Sequence, residues 1–280
     1  MKTIGFIDYY ISEWHAQNYP QWIKEQNKKM GEDFVVKYVW AERDDSLFDG
    51  ATTDDYCAKY GVEKCASIAE LCEKADYVLI LAPSDPDKHL EYAKEAFKCG
   101  KNTYVDKTFA PDYKTAKEIF DTAEKYGTKF FSSSALRYST ELDELPETKS
   151  IITLGGGGNL DEYIIHQVEM VVKKFAVPAK KVKVEKQGAQ YVIRAIFEDD
   201  KSATMIFAPG LGFSMSAENA NGDTYTKKMV SPYFQNLIAD ILRFYNTGET
   251  SFDTTQTLMV MKLREALIKA KETDGVWIEV

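Results

Sequence analysis

The stretch Tyr77–Ala110, YVLILAPSDPDKHLEYAKEAFKCGKNTYVDKTFA, decides how this chain folds. Tyr77 to Ala82 is an apolar run of strand length, and Pro83 and Pro86 mark a loop behind it. From Pro86 to Lys98 the residues Leu90, Ala93, Ala96 and Phe97 recur at helical spacing and form one apolar stripe, and Gly100 stops the helix. Tyr104-Val105 begins a second strand, which ends on Asp106-Lys107-Thr108. Strand, helix, strand in this order is a parallel crossover unit. The charged pair therefore falls at the C-terminal edge of a parallel sheet, where ligands of open α/β folds collect.

Outward from this unit the same alternation continues. Lys2–Asp8 and Phe34–Trp40 read as strands, with a helix between them through about Lys29. Helical stretches are expected at Asp54–Tyr60, Ser67–Lys74 and Asp112–Tyr126, and a short strand at Lys129–Ser132. Strands recurring roughly every 30 residues predict a parallel sheet with helices on both faces over residues 1–133. After Ala135 the pattern changes. Gly155–Gly158 leads into a helix from about Leu160 to Phe175. Strand-like segments follow at Val182–Lys186, Tyr191–Glu198, Ala203–Ala208 and Phe213–Glu218, separated by turn signals such as Pro209-Gly210 and Asn221-Gly222. Helices at Pro232–Tyr245 and Asp253–Thr273 and a strand at Val276–Val280 close the chain. Residues 134–280 are thus expected to form an α+β domain with a mostly antiparallel sheet, so the fold class is α/β with an appended α+β domain.

At 280 residues the chain has room for two ordinary domains. Its 44% hydrophobic and 28% charged residues are those of a globular protein. A formal charge of −9 argues against nucleic acid or an anionic membrane as partner. No apolar run nears bilayer-spanning length and no signal peptide is evident, so the expected location is the cytoplasm. Cys57, Cys65, Cys72 and Cys99 have neither C-x-x-C spacing nor zinc-type histidine partners, and no metal is expected.

Three segments carry a resemblance. Ala82-Pro83, His89, Gly100-Lys101 and Asp106-Lys107-Thr108 form the first; Gly155–Glu169, GGGGNLDEYIIHQVE, is the second; Asn236–Val280 is the third. In this order they are similar to the Gfo/Idh/MocA oxidoreductases, with Asp106 for the family's Glu, Thr108 for its Pro, and Lys107 kept. The resemblance implies a Rossmann domain followed by a substrate domain whose sheet supports a homo-dimer or tetramer. It further implies NAD- or NADP-dependent chemistry on a hydroxyl or carbonyl of a sugar, sugar acid or polyol.

One departure stands out. The dinucleotide fingerprint places glycines at the first strand-to-helix turn, where backbone N–H groups meet the pyrophosphate. Here that turn is Asp8-Tyr9-Tyr10-Ile11-Ser12-Glu13, without glycine, and Gly5 lies inside the strand. Two carboxylates near a helix N-terminus that normally takes an anion would repel a diphosphate. The alternative is a packed turn capped by Asp8 or Ser12.

By family position the cofactor-side residues are Asp8, Tyr10, Ile11, Ala82, Pro83 and Asp106. Glu42 could meet a ribose hydroxyl and Arg43 a 2′-phosphate. Lys107 is the candidate catalytic residue, its ammonium suited to a developing alkoxide or a proton relay. In the second segment Glu162, His166 and Glu169 fall within about 60° of one another on a helix. Ile164, Ile165, Val168, Val171 and Val172 take the other side. The resemblance makes His166 the acid–base residue assisted by Glu162, with Asp161, Glu169, Arg137 and Tyr138 as substrate contacts. His15 and His89 look less suited to catalysis, and His89, at the start of a helix, is expected to cap or pack. Two functions remain open: a dinucleotide-dependent oxidoreductase, and a relative that has lost the dinucleotide and binds a small ligand or a protein.

Overall fold

The computed structural model describes all residues from Met1 to Val280. The chain forms two compact units, residues 1–133 with Leu237–Asp253, and Ser134–Asn236 with Thr254–Val280.

The first unit alternates β1 (Lys2–Asp8), α1 (Trp14–Met30), β2 (Phe34–Ala41), α2 (Thr53–Tyr60), β3 (Glu63–Lys64), α3 (Ile68–Lys74), β4 (Tyr77–Ile80), α4 (His89–Ala96), β5 (Thr103–Val105), α5 (Tyr113–Tyr126) and β6 (Phe130–Ser132). Its six strands are all parallel in the order β3-β2-β1-β4-β5-β6. This is the doubly wound dinucleotide-fold order, and its reversal point lies between β1 and β4. Gly5 serves packing, because a Cβ there would stand 2.4 Å from a Leu71 methyl of α3. Left-handed Gly31, Gly61 and Gly127 end α1, α2 and α5.

In the second unit, α6 (Thr140–Asp143) and β7 (Ser150–Gly155) precede α7 (Leu160–Phe175). Then come β8 (Ala179–Gln187), β9 (Gln190–Phe197), β10 (Ser202–Phe207), β11 (Ser214–Glu218), β12 (Thr224–Lys228), α8 (Tyr233–Thr247), α9 (Thr255–Lys271) and β13 (Ile278–Glu279). The sheet runs β12-β11-β7-β10-β9-β8-β13 and is antiparallel except for the β7–β10 pair. Its buried face carries Ile151, Thr153, Met205, Ile193 and Val184.

Three differences from the sequence reading have physical causes. β7 escapes notice because its apolar residues run straight into the glycines. β12, TYTKK, is almost wholly exposed and so lacks apolar alternation. The expected single boundary after residue 133 is modified at α8, where the segment Leu237–Asp253 packs with the first unit before the chain rejoins the second at Thr254. There Tyr245 stacks on Tyr77 with ring centroids 4.7 Å apart, its hydroxyl donates to the Val78 carbonyl at 2.7 Å, and Phe244 meets Phe131 edge-on. No helix is long and apolar enough to cross a membrane.

Candidate active site

Asp8 ends β1 at the reversal point and is 1% exposed. Its Oδ1 accepts from the Tyr9 N–H at 2.7 Å and the Ala82 N–H at 3.0 Å. The carboxyl thus bridges the ends of β1 and β4 and holds Ala82, a non-glycine residue at φ 57°. Oδ2 is buried without a partner. Burial first, and then the charge of Glu13, push the Asp8 carboxyl well above the usual carboxylate range.

The N-cap of α1 is Glu13, correcting the expectation of Asp8 or Ser12. Its carboxylate accepts from the His15 and Ala16 N–H groups, the former at 2.7 Å, and it is 5% exposed. These are the orphan donors that a helix N-terminus otherwise offers to an anion. Ser12 is held elsewhere: its hydroxyl donates to Asp49 at 2.8 Å, and its carbonyl accepts from the Ser46 hydroxyl at 2.5 Å. Asp49 also accepts from Gln17 at 2.8 Å. Although desolvation opposes it, hydrogen bonds from Ala51, Ser12 and Gln17 keep Asp49 below its usual value and therefore charged. Ile11 is a core residue, while Tyr9 and Tyr10 are half-buried with their rings 5.8 Å apart.

Next to this turn His15 and Asp106 form a buried imidazole–carboxylate pair through His15 Nδ1 and Asp106 Oδ2. Burial alone would lower the imidazole, but the Asp106 charge, the hydrogen bond to Asp106 and the Glu13 charge together outweigh it and the net shift is upward. Asp106 moves the opposite way: desolvation raises it, and His15 then Lys107 bring it below its usual range. The pair is ionic. His15 also stacks on Tyr19 at 5.2 Å, so a histidine that looked non-catalytic in the sequence is the counter-ion of Asp106. The sequence signal was weak, because residues 15 and 106 lie on different crossover units.

Lys107 is half-buried, its backbone N–H donates to Asp106 at 2.8 Å, and its Nζ lies 3.2 Å from the Pro83 carbonyl. The Lys107–Thr108 peptide is cis. Ala82, Pro83, Asp106 and Lys107 therefore share one sheet edge. Glu42 pairs with Lys88 at 2.5 Å and accepts from Tyr92 at 2.7 Å. Arg43 donates from Nε to the Asp45 carbonyl. Both ribose-side candidates are thus engaged within the chain. His89 is fully buried, with its two ring nitrogens on the Phe109 and Leu81 carbonyls at 3.0 and 2.5 Å, the packing role its position suggested.

In the second unit His166 is half-buried, with Nδ1 2.7 Å from the Ser134 hydroxyl and Phe213 edge-on at 5.5 Å. Ser134 was not singled out from sequence, since it lies far from His166 along the chain. Glu162 is half-buried near Asn159, the N-cap of α7. Glu169 is buried in an ion pair with Arg137, whose Nη1 donates to Gln256 at 2.8 Å. Each is nearly inaccessible and holds the other. Asp161 is likewise tied down, by Lys271 at 2.8 Å, and its carbonyl accepts from Arg264. The Tyr138 carbonyl accepts from Asn236. The glycine run is filled by its own chain. A Cβ on Gly156 would stand 2.1 Å from the Ala208 carbonyl oxygen, and one on Gly157 would strike the Tyr163 ring.

The fingerprint turn does not fit a diphosphate. Its donors are taken by Glu13, its crevice is bridged by Asp8, and Asp49 adds a further carboxylate.

Residues 46–134 match the family model for the Gfo/Idh/MocA oxidoreductases, described as an oxidoreductase family with an NAD-binding Rossmann fold. An uncharacterized oxidoreductase of Escherichia coli K12, YhhX, is 37% identical over 62 residues, which cover 22% of this chain and 18% of that protein. Among solved structures, a probable dehydrogenase from Thermotoga maritima superposes with TM-score 0.81 at 12% identity, covering 99% of this chain and 98% of the other. GenD2 from gentamicin A biosynthesis, solved with NAD, gives 0.80 at 12% over 100% and 97%. A putative myo-inositol dehydrogenase from Sinorhizobium meliloti gives 0.77 at 11% over the full length of both. The chain therefore shares the fold of these solved dehydrogenases along its whole length, and the Gfo/Idh/MocA family model matches the part of it, residues 46–134, that contains the Lys107 segment.

Proposed function

We propose that the protein is an oxidoreductase acting on a hydroxyl or carbonyl of a sugar, sugar acid or polyol, with NAD or NADP as its co-substrate. The observation that carries this reading is Lys107. It stands at the C-terminal edge of the parallel sheet, inside the segment that matches an NAD-binding oxidoreductase family, with its backbone braced by Asp106. An ammonium at that edge stabilises negative charge developing on a substrate oxygen. His166, with Glu162 on the same helix, is the acid–base candidate of the second unit. Arg137, Glu169 and Asp161 support the reading by holding α7 in place. Because the fingerprint turn is occupied by the chain itself, this reading requires a dinucleotide held without the N-terminus of α1.

A second reading has its own observation. The Glu13 cap and the Asp8 bridge favour a family relative that binds a small polyhydroxylated ligand without any dinucleotide. Calorimetry and nicotinamide fluorescence with NADH and NADPH separate the two. Binding at millimolar cofactor or below is expected, and its absence for both cofactors overturns the oxidoreductase reading. Lys107→Ala should keep cofactor affinity and lose about a hundredfold in turnover. Unchanged turnover would remove Lys107 from the chemistry.

The proposal extends to self-association through the open face of the second sheet. There Val192, Ile206 and Leu154 align across three strands, and Ile152 is 48% exposed. Light scattering should report a dimer or tetramer.

A further inference from the structure

We infer that Glu13 is a built-in anion, occupying the place on α1 that a phosphate takes in a dinucleotide fold, so that no diphosphate binds at this helix in the native protein. The cap is bidentate: Oε2 accepts from the His15 N–H and Oε1 from the Ala16 N–H. A helix N-terminus carries roughly half a positive charge, and either a carboxylate or a phosphate can satisfy it. Here the carboxylate belongs to the residue that begins the helix, so its effective concentration exceeds that of any free ligand.

Displacing it would leave a buried acid among others. Asp8 lies at the end of β1 with one oxygen unpartnered, and Asp106 is committed to His15. Asp49 is pinned to Ser12 and Gln17 over the same turn. A diphosphate arriving there would meet Glu13 and Asp49 as like charges, while His15 is already paired with Asp106 and Lys88, over the Tyr9 ring, with Glu42. The loop carrying Ser46 and Asp49 is tied to the turn by two hydrogen bonds through Ser12 and to α1 by a third from Gln17.

The inference differs from the loss of cofactor binding as such, because a dinucleotide bound elsewhere on the chain is compatible with it. It names one residue as the block, and removing that residue should reopen the helix. Glu13→Gly restores free His15 and Ala16 N–H groups and leaves the glycine that a fingerprint turn needs. Glu13→Gln keeps the size and the acceptor but removes the charge.

The experiment follows backbone amide resonances of His15 and Ala16 in the full-length protein as ADP is added, alongside calorimetry. In the native protein these amides should not move at millimolar ADP. In Glu13→Gly they should shift saturably, with ADP affinity at least tenfold above native and falling with salt. Adding Asp49→Asn should raise it again. Saturable movement of both amides in the native protein would overturn the inference, and this arm does not depend on any variant folding. A folded Glu13→Gly protein with native ADP affinity would also overturn it. NADH binding to the native protein without movement of these amides supports the inference and leaves the oxidoreductase reading standing. Absence of NADH binding sinks that reading alone.

Discussion

A carboxyl sealed at the end of a parallel strand must either be neutral or collect hydrogen bonds. Asp8 does some of each, accepting two backbone N–H groups through one oxygen while the other has no partner. Its folded pKa is raised, by burial and by Glu13. The stability it contributes is therefore fully present below the unfolded carboxyl value near 3.9 and is lost as pH rises through the folded value. Asp8→Asn keeps the acceptor to Tyr9 and Ala82 and cannot ionise. The melting temperature of the variant minus that of the native protein should increase from pH 4.5 to pH 8. Taking the difference largely removes the His15 contribution, which has the same sign because its pKa is also raised. A difference constant across pH, read by calorimetry, would mean that Asp8 is not strained by its charge. From sequence Asp8 was legible as a misfit for a diphosphate. Its partner Ala82 was not, because nothing local links residues 8 and 82.

At the scale of elements, the approach to α7 shows how one motif supports two different uses. The run Gly155–Gly158 reads as a turn close to a ligand, yet the atoms pressed against it are the ring of Phe213, the Ala208 carbonyl and the ring of Tyr163. The glycines let β7 and α7 meet the neighbouring chain. Gly156→Ala should cost about 1–3 kcal/mol in urea unfolding, the range for overpacking against backbone. Gly158→Ala, whose Cβ would have its nearest neighbour 3.6 Å away, should fall within about 1 kcal/mol of native. Equal costs would place the constraint in the turn's conformation and not in its contacts. α7 itself was legible: Asn159 caps it, and the apolar residues Ile164, Ile165, Val168, Val171 and Val172 are buried as their spacing requires. The acid–imidazole–acid face was legible only as a face. Arg137 and Ser134, which take Glu169 and His166, lie beyond helical range. Buried Gln167, which joins α7 to Thr153 and to the Gly155 and Ile206 carbonyls, carried no signal.

For the molecule as a whole, the return of Leu237–Asp253 to the first unit is the feature most open to test. Tyr245 anchors it by stacking on Tyr77 and donating to the Val78 carbonyl. Tyr245→Ala should destabilise by about 3–5 kcal/mol, as deletion of a fully buried aromatic does. Tyr245→Phe should lose about 1 kcal/mol, the net value of its hydrogen bond. If both variants unfold like the native protein, the segment is not part of that unit's core. The main strand–helix alternation of residues 1–133, the edge position of Lys107 and the absence of a glycine cradle were determined by the sequence alone. Periodicity, helix caps and turn residues act over a few neighbours and can be read along the chain. Which group caps α1, what bridges β1 to β4, and which carboxylates are already paired were decided only by tertiary structure. Those answers rest on Asp8 meeting Ala82, His15 meeting Asp106 and Ser12 meeting Asp49, side chains that burial brings together from distant parts of the sequence.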